Sequence, residues 1–166
     1  MQNKESIIRT LKLEPHVEGG YFRRTFESPI QTSTNQAAMS SIYYLLTNEA
    51  PIGYLHQNKS DIIHFFHSGS PIKYFIISSD GKLSTEILGS NIEQGHQLQL
   101  MVKGGDWKAS QLMFEGGPFE DYGLISEAVC PGFEYQDMQL ATMERFAKRH
   151  PGLIKQLGHL IKINKV

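Results

Sequence analysis

The sequence lacks most of what a disulfide scaffold, a membrane span or a nucleic-acid grip requires. Its 166 residues include one cysteine, Cys130, so no disulfide can form within the chain, which fits a reducing compartment. No uninterrupted apolar run is long enough to cross a bilayer. The opening MQNKESIIRT lacks the apolar stretch of a secretory signal, so a cytoplasmic protein without membrane contact is expected. The formal net charge is -1, and the densest basic run is AKRH at 147–150. That run is the solvated end of a helix, and no nucleic-acid partner is expected. Neither an internal repeat nor a low-complexity segment is present. Charged residues make up only 20% of the chain against 40% hydrophobic, which excludes a disordered chain and predicts one globular domain over 1–166.

What is present is a β-rich middle between two helical ends. KESIIRTLKL puts Ile7, Ile8 and Leu11 on one face of a helix expected over about 4–12, which Pro15 ends. Eight short runs rich in β-branched and aromatic residues follow between Gly20 and Cys130. They are YFRRTFES, AMSSIYYLLT, DIIHFFH, IKYFIIS, KLSTEIL, QLQLMV, ASQLMF and YGLISEAVC, with Gly, Pro, Asn and Asp between them. Asp80-Gly81 predicts a tight hairpin turn. After Asp137 the helical period returns. Leu153, Ile154, Leu157, Leu160 and Ile161 form a one-sided stripe that predicts a helical segment, about 138–162, docked on the outside of a sheet. The pattern is all-β, a sandwich or barrel spanning about 19–135, and the strand count suits a jelly roll.

Several stretches carry a family resemblance. They are LKLEPHVEGGYFRRTFES at 11–28, SSIYYLL at 40–46, the run from His56 to Gly69, QLQLMVKGGDW at 97–107 and AVCPGFEYQDMQL at 128–140. Together they resemble the cupin superfamily, and within it the largely uncharacterised branch called cupin family five. The resemblance implies a double-stranded β-helix, a small jelly-roll barrel with a pocket and short terminal helices, forming a homodimer.

Many cupins hold a metal through G-x5-H-x-H-x3,4-E-x6-G and G-x5-P-x-G-x2-H. Laid on this chain with Gly69, Gly95 and Gly105 as anchors, the four ligand positions fall on His56, Asn58, Ile62 and Lys108. A metal needs three or four converging N, O or S ligands, and three of these four residues do not suit. His64 and His67 are of opposite parity in a strand and do not replace them. Neither a metal nor another cofactor is expected.

The same alignment turns Ile62, His64 and Phe66 into the barrel and sets His56 at its mouth. His56 and His64 are therefore the candidate acid–base pair, with Tyr43 as an opposing acid. The candidate ligand contacts are His56, His64, Phe66, Gln99, Trp107 and Arg23: Gln99 to hydrogen-bond, Trp107 to wall the pocket, Arg23 to hold an anion. The glycines of Glu18-Gly19-Gly20-Tyr21 are assigned a backbone role, and Cys130 is expected to be a buried thiol. Asp61 is expected to cap a turn or to pair with a partner chain. The function expected is binding of a sugar-like molecule or small acid in a barrel pocket without a conventional metal site. The alternative is a metal-free sugar-nucleotide epimerase or isomerase with a histidine base, and a dioxygenase with a rearranged metal site is a third reading.

Overall fold

A computed structural model describes residues 3–114 and 121–163. Helix α1, Lys4–Leu11, is capped by the Asn3 side chain, which accepts from Ser6 N–H. Eleven strands follow. They are β1 (Glu14–Pro15), β2 (Tyr21–Glu27), β3 (Ser40–Thr47), β4 (Ile52–Asn58), β5 (Asp61–Gly69) and β6 (Ile72–Ile77), then β7 (Leu83–Leu88), β8 (Gln99–Val102), β9 (Trp107–Leu112), β10 (Tyr122–Cys130) and β11 (Met138–Leu140). The chain ends in α2 (Met143–Arg149) and the short α3 (Ile154–Leu157), with 3-10 turns around α3.

The strands pair antiparallel into two sheets, β1-β2-β3-β10-β5-β8 and β11-β4-β9-β6-β7. Alternation along each strand sends one set of side chains between the sheets and the other outward. The inner set includes Tyr44, Leu46, Ile72, Tyr74, Ile125, Leu100 and Val102. Each outer face is covered by a chain end. Ile7 of α1 packs with Leu45 and Tyr122 on the first sheet. Phe146, Leu157, Leu160 and Ile161 pack with Leu55, Phe75, Ile77 and Ala109 on the second. Lys4 ties α1 down through Glu49 and Asp121, and both partners help push its pKa up to about 12.

The jelly-roll architecture and both helical ends match the sequence reading. Strand β4 stood outside the eight runs, because its polar residues His56 and Asn58 face inward where apolar ones are expected. In the hairpin joining β6 and β7, Gly81 alone takes the positive φ, +83°. Ser78 and Lys82 close that hairpin through Ser78 N–H donating to Lys82 C=O. Among the described residues no helix is long and apolar enough to cross a membrane.

Candidate functional site

The inner layer is apolar at one end and polar at the other. Two cross-strand pairs build the polar end. On the first sheet His64 of β5 stands opposite Glu127 of β10. On the second, His56 of β4 stands opposite Lys108 of β9. The four side chains meet between the sheets, where His64 is fully buried and His56 and Lys108 are each 4% exposed. Lys108 Nζ crosses to the other sheet and lies 2.7 Å from His64 Nε2 and 3.7 Å from Glu127 Oε1.

The tautomers follow from the partners. His64 Nδ1 lies 3.2 Å from Leu100 O, an oxygen that can only accept, so Nδ1 carries the proton and Nε2 accepts from the Lys108 ammonium. His56 Nδ1 is likewise held by Tyr54 O at 2.6 Å, which leaves Nε2 unprotonated. Burial, with the nearby Lys108 charge second, holds both imidazoles well below the ordinary histidine pKa. Both are neutral at pH 7.

A fifth group arrives from the segment before β2. Gly19 and Gly20 have φ of +94° and +67°, and a Cβ on either would meet backbone oxygen, Ile52 O at 2.2 Å and Leu45 O at 2.6 Å. Only glycine fits so tight a fold-back. The fold-back is fastened by Tyr44 Oη donating to Gly19 O at 2.8 Å. It carries Glu18 into the barrel, where Oε2 lies 3.2 Å from His56 Nε2 and 3.5 Å from His16 Nδ1. Burial is the main cause that lifts the Glu18 pKa to about 8, and burial drops that of His16 to about 4. The Glu18–His56 contact therefore joins a carboxylic acid to a neutral imidazole and is not an ion pair.

Glu18, His56, Lys108 and Glu127, with Tyr44, Tyr74 and Ser110, enclose a small polar chamber. About 10 Å³ of it is open to the centre of a water-sized sphere. A second chamber shares Glu18 and Glu127 and has about 30 Å³ open in the same sense. It is walled by Phe22, Ile62, Phe133 and Arg24. Two buried oxygens in these walls, Glu18 Oε1 and Asn58 Oδ1, have no hydrogen-bond partner within the protein, and His56 Nε2 faces only the Glu18 carboxyl. Polar atoms left without a protein partner beside open volume mark walls that a water or a small polar ligand can satisfy.

The metal-binding pattern of the wider fold does not fit these residues. Ile62 offers no donor, and a buried ammonium on Lys108 stands where a ligand would be needed. Among the described residues no group of three or more His, Cys, Asp or Glu is arranged to hold an ion.

Of the residues singled out from the sequence, His56 and His64 are brought together, and Phe66 faces inward against the apolar core. The others are corrected. Gln99 is exposed on the outer face of β8, because it is the inward-facing Leu100 and Val102 that fill the interior. Trp107 lies on the outer face of β9, packed under the C-terminal helices, since its neighbour Lys108 takes the inward position. Tyr43 and Arg23 also face outward, stacked on one another with Arg23 Cζ 6.0 Å from the ring centroid. Of their sequence neighbours, Tyr44 is buried in the first chamber's wall, and Arg24 borders the second chamber while remaining exposed. Cys130 is exposed rather than buried. Asp61 does cap a turn, accepting from Gly104 N–H at 2.7 Å. Glu18, Lys108 and Glu127 were missed as site residues. The signal for the last two was a charged residue at an inward position of an apolar strand.

Fold and site together define a cupin-type jelly-roll barrel whose interior holds a lysine–histidine–glutamate cluster, with Lys108 at one of the metal-ligand positions of the wider fold. The chain belongs to the family described as Cupin superfamily (DUF985), whose model matches residues 5–141. An uncharacterised protein of Saccharomyces cerevisiae, YML079W, is 34% identical, over 80% of this chain and 72% of that one. Two solved structures have the same fold at a TM-score of 0.90. One is a hypothetical protein from Leishmania major, 27% identical, covering 98% of this chain and 100% of that one. The other is protein SO0799 from Shewanella oneidensis, 29% identical, covering 99% and 100%.

Proposed function

We propose that the barrel binds a small oxygen-rich molecule, a short carboxylic acid or carbonyl compound, without a metal. One observation carries this reading: Glu18 Oε1, which has no partner within the protein, and the unprotonated Nε2 of His56 line the same buried chamber as the Lys108 ammonium. A ligand carrying a hydroxyl and a carbonyl supplies a donor for the acceptors and an acceptor for the ammonium. Size decides between the ligands expected from the sequence. The two chambers have room for about three waters. That suits a molecule of three or four carbons and leaves no space inside for a nucleotide sugar.

The second reading is a metal-free isomerase, favoured by the unprotonated Nε2 of His56. His64 is not its base, because both ring nitrogens are engaged. Exposed Phe26, Ile30 and Met39 around the far end of β2 support a homodimer, which light scattering at micromolar concentration tests.

A thermal-shift panel of short hydroxy acids, oxo acids and hydroxycarbonyl compounds tests the binding reading. At least one compound is expected to raise the Tm of the wild-type chain and to leave that of Lys108→Met unmoved. If no compound in the panel shifts the wild type, the reading fails.

A further inference from the structure

We propose that Glu18 and His56 are the proton donor and acceptor of an isomerase for short 2-hydroxycarbonyl compounds, with Lys108 holding the substrate oxygen. The inference rests on the binding reading above and adds the chemistry, the acid and the substrate class.

The assignment proceeds by the state of each buried group. A base needs an unprotonated nitrogen on the chamber, and His56 Nε2 is buried in the chamber wall with its lone pair beside the Glu18 carboxyl, 3.2 Å away. His64 has given its Nε2 to Lys108, and His16 Nδ1 is taken by the Glu18 backbone N–H at 3.3 Å. An acid needs a proton to give at neutral pH. Tyr44 Oη is already donating to Gly19 O, and Tyr43 lies outside the barrel. Glu18 remains: a buried carboxylic acid with one oxygen partnerless and the other 3.2 Å from His56 Nε2. Its protonation is supported by the same burial that lifts its pKa. The ammonium of Lys108 is placed to hold an oxygen that gains charge.

The reaction balances without a cofactor. His56 Nε2 takes the proton from the carbon bearing the hydroxyl. That C–H pair becomes the C=C bond of an enediol, the carbonyl π pair moves onto oxygen, and Glu18 protonates that oxygen. Glu18, now a carboxylate, removes the proton from the original hydroxyl. The O–H pair forms the new carbonyl, and the His56 imidazolium protonates the former carbonyl carbon. Both residues end as they began, and an aldose has become a ketose. Two groups 3.2 Å apart can serve adjacent atoms of one three-carbon substrate.

The test is proton NMR of the wild-type chain with glyceraldehyde in deuterium oxide, with and without EDTA. The expected result is dihydroxyacetone carrying solvent deuterium on carbon, formed above the buffer rate and unaffected by EDTA. Glu18→Gln is expected to lose at least 100-fold in kcat/KM while glyceraldehyde still raises its Tm. The wild-type rate is expected to fall as pH rises through about 8, and Glu18→Gln to lose that fall. His56→Gln is expected to lose both isomerisation and deuterium uptake. If glyceraldehyde raises the wild-type Tm but neither exchanges nor isomerises, the chemistry is overturned and the binding reading stands. If it neither binds nor reacts while another panel compound binds, the substrate class is wrong. Wild-type rates in Glu18→Gln, or loss of the activity to EDTA, overturn the proposal directly.

Discussion

Lys108 of the second sheet reaches across the barrel to His64 of the first, Nζ to Nε2, 2.7 Å apart and out of contact with water. The bond gives the ammonium a neutral acceptor, and Glu127, 3.7 Å away on the strand beside His64, supplies the countercharge. A charge buried this deeply is tolerated only when both are in place.

The Lys108–Glu127 pair gives a prediction in which the second substitution offsets the first. Lys108→Met leaves the Glu127 carboxyl without its cation and is expected to cost about 3 kcal/mol. Lys108→Met combined with Glu127→Leu removes both charges and is expected to recover most of that loss. Urea denaturation of the three proteins checks it. Equal losses in the single and double variants would contradict it.

Stability against pH should pass through a maximum near pH 6.5. His16, with its folded pKa lowered to about 4, is neutral in the fold but protonated when unfolded between about pH 4 and 6.5. The lowered pKa values of His56 and His64 act in the same direction. Across that window the unfolded chain binds more protons, so stability rises with pH. Glu18, raised to about 8, does the reverse: from about pH 4.5 to 8 the fold holds a proton that the unfolded chain has lost. Below pH 6.5 the three histidines outweigh it. Above 6.5 Glu18 alone remains, and stability falls by about 2 kcal/mol up to pH 8. Glu18→Gln should flatten that upper limb and steepen the lower one between about pH 4.5 and 6.5, where Glu18 no longer opposes the histidines. Chemical denaturation at half-unit pH steps measures both.

The fold-back that delivers Glu18 should be intolerant of side chains. Gly19→Ala puts a Cβ 2.2 Å from Ile52 O at a φ of +94°. The expected cost is at least about 2 kcal/mol. Ligand-induced Tm shifts should vanish with it, because Glu18 is displaced. Gly81→Ala carries a similar φ but has open space around it and lies far along the chain on the β6–β7 hairpin. It should destabilise less and leave binding intact.

The outward residues should separate stability from function. Gln99→Ala is expected to change neither, since Gln99 is exposed. Trp107→Ala removes packing beneath the C-terminal helices and should cost about 2 kcal/mol, with ligand response preserved. Melting curves with and without ligand decide both.

The sequence carried the jelly roll and the docked ends, because strand alternation and the helical stripe of Leu157, Leu160 and Ile161 are local patterns. The inward direction of Ile62, His64 and Phe66 came from the family resemblance, since alternation alone sets which residues share a face but not which face is inner. The site was only half legible. Whether Tyr43 or Tyr44, Trp107 or Lys108 faces inward depends on register, and a slip of one residue exchanges the two faces. The inward set is fixed by pairings such as His56 with Lys108, which lie 52 residues apart in the chain. Glu18 was hidden because the two glycines after it signal a turn but not what the turn delivers.

The most direct test of a metal-free interior with neutral imidazoles is long-range proton–nitrogen NMR of the histidine side chains in uniformly nitrogen-15-labelled protein at pH 7. The account predicts His56 and His64 as neutral rings protonated at Nδ1, with the His56 Nε2 resonance moving when a panel ligand binds. Imidazolium shifts at either ring, or a proton on His56 Nε2, would contradict it.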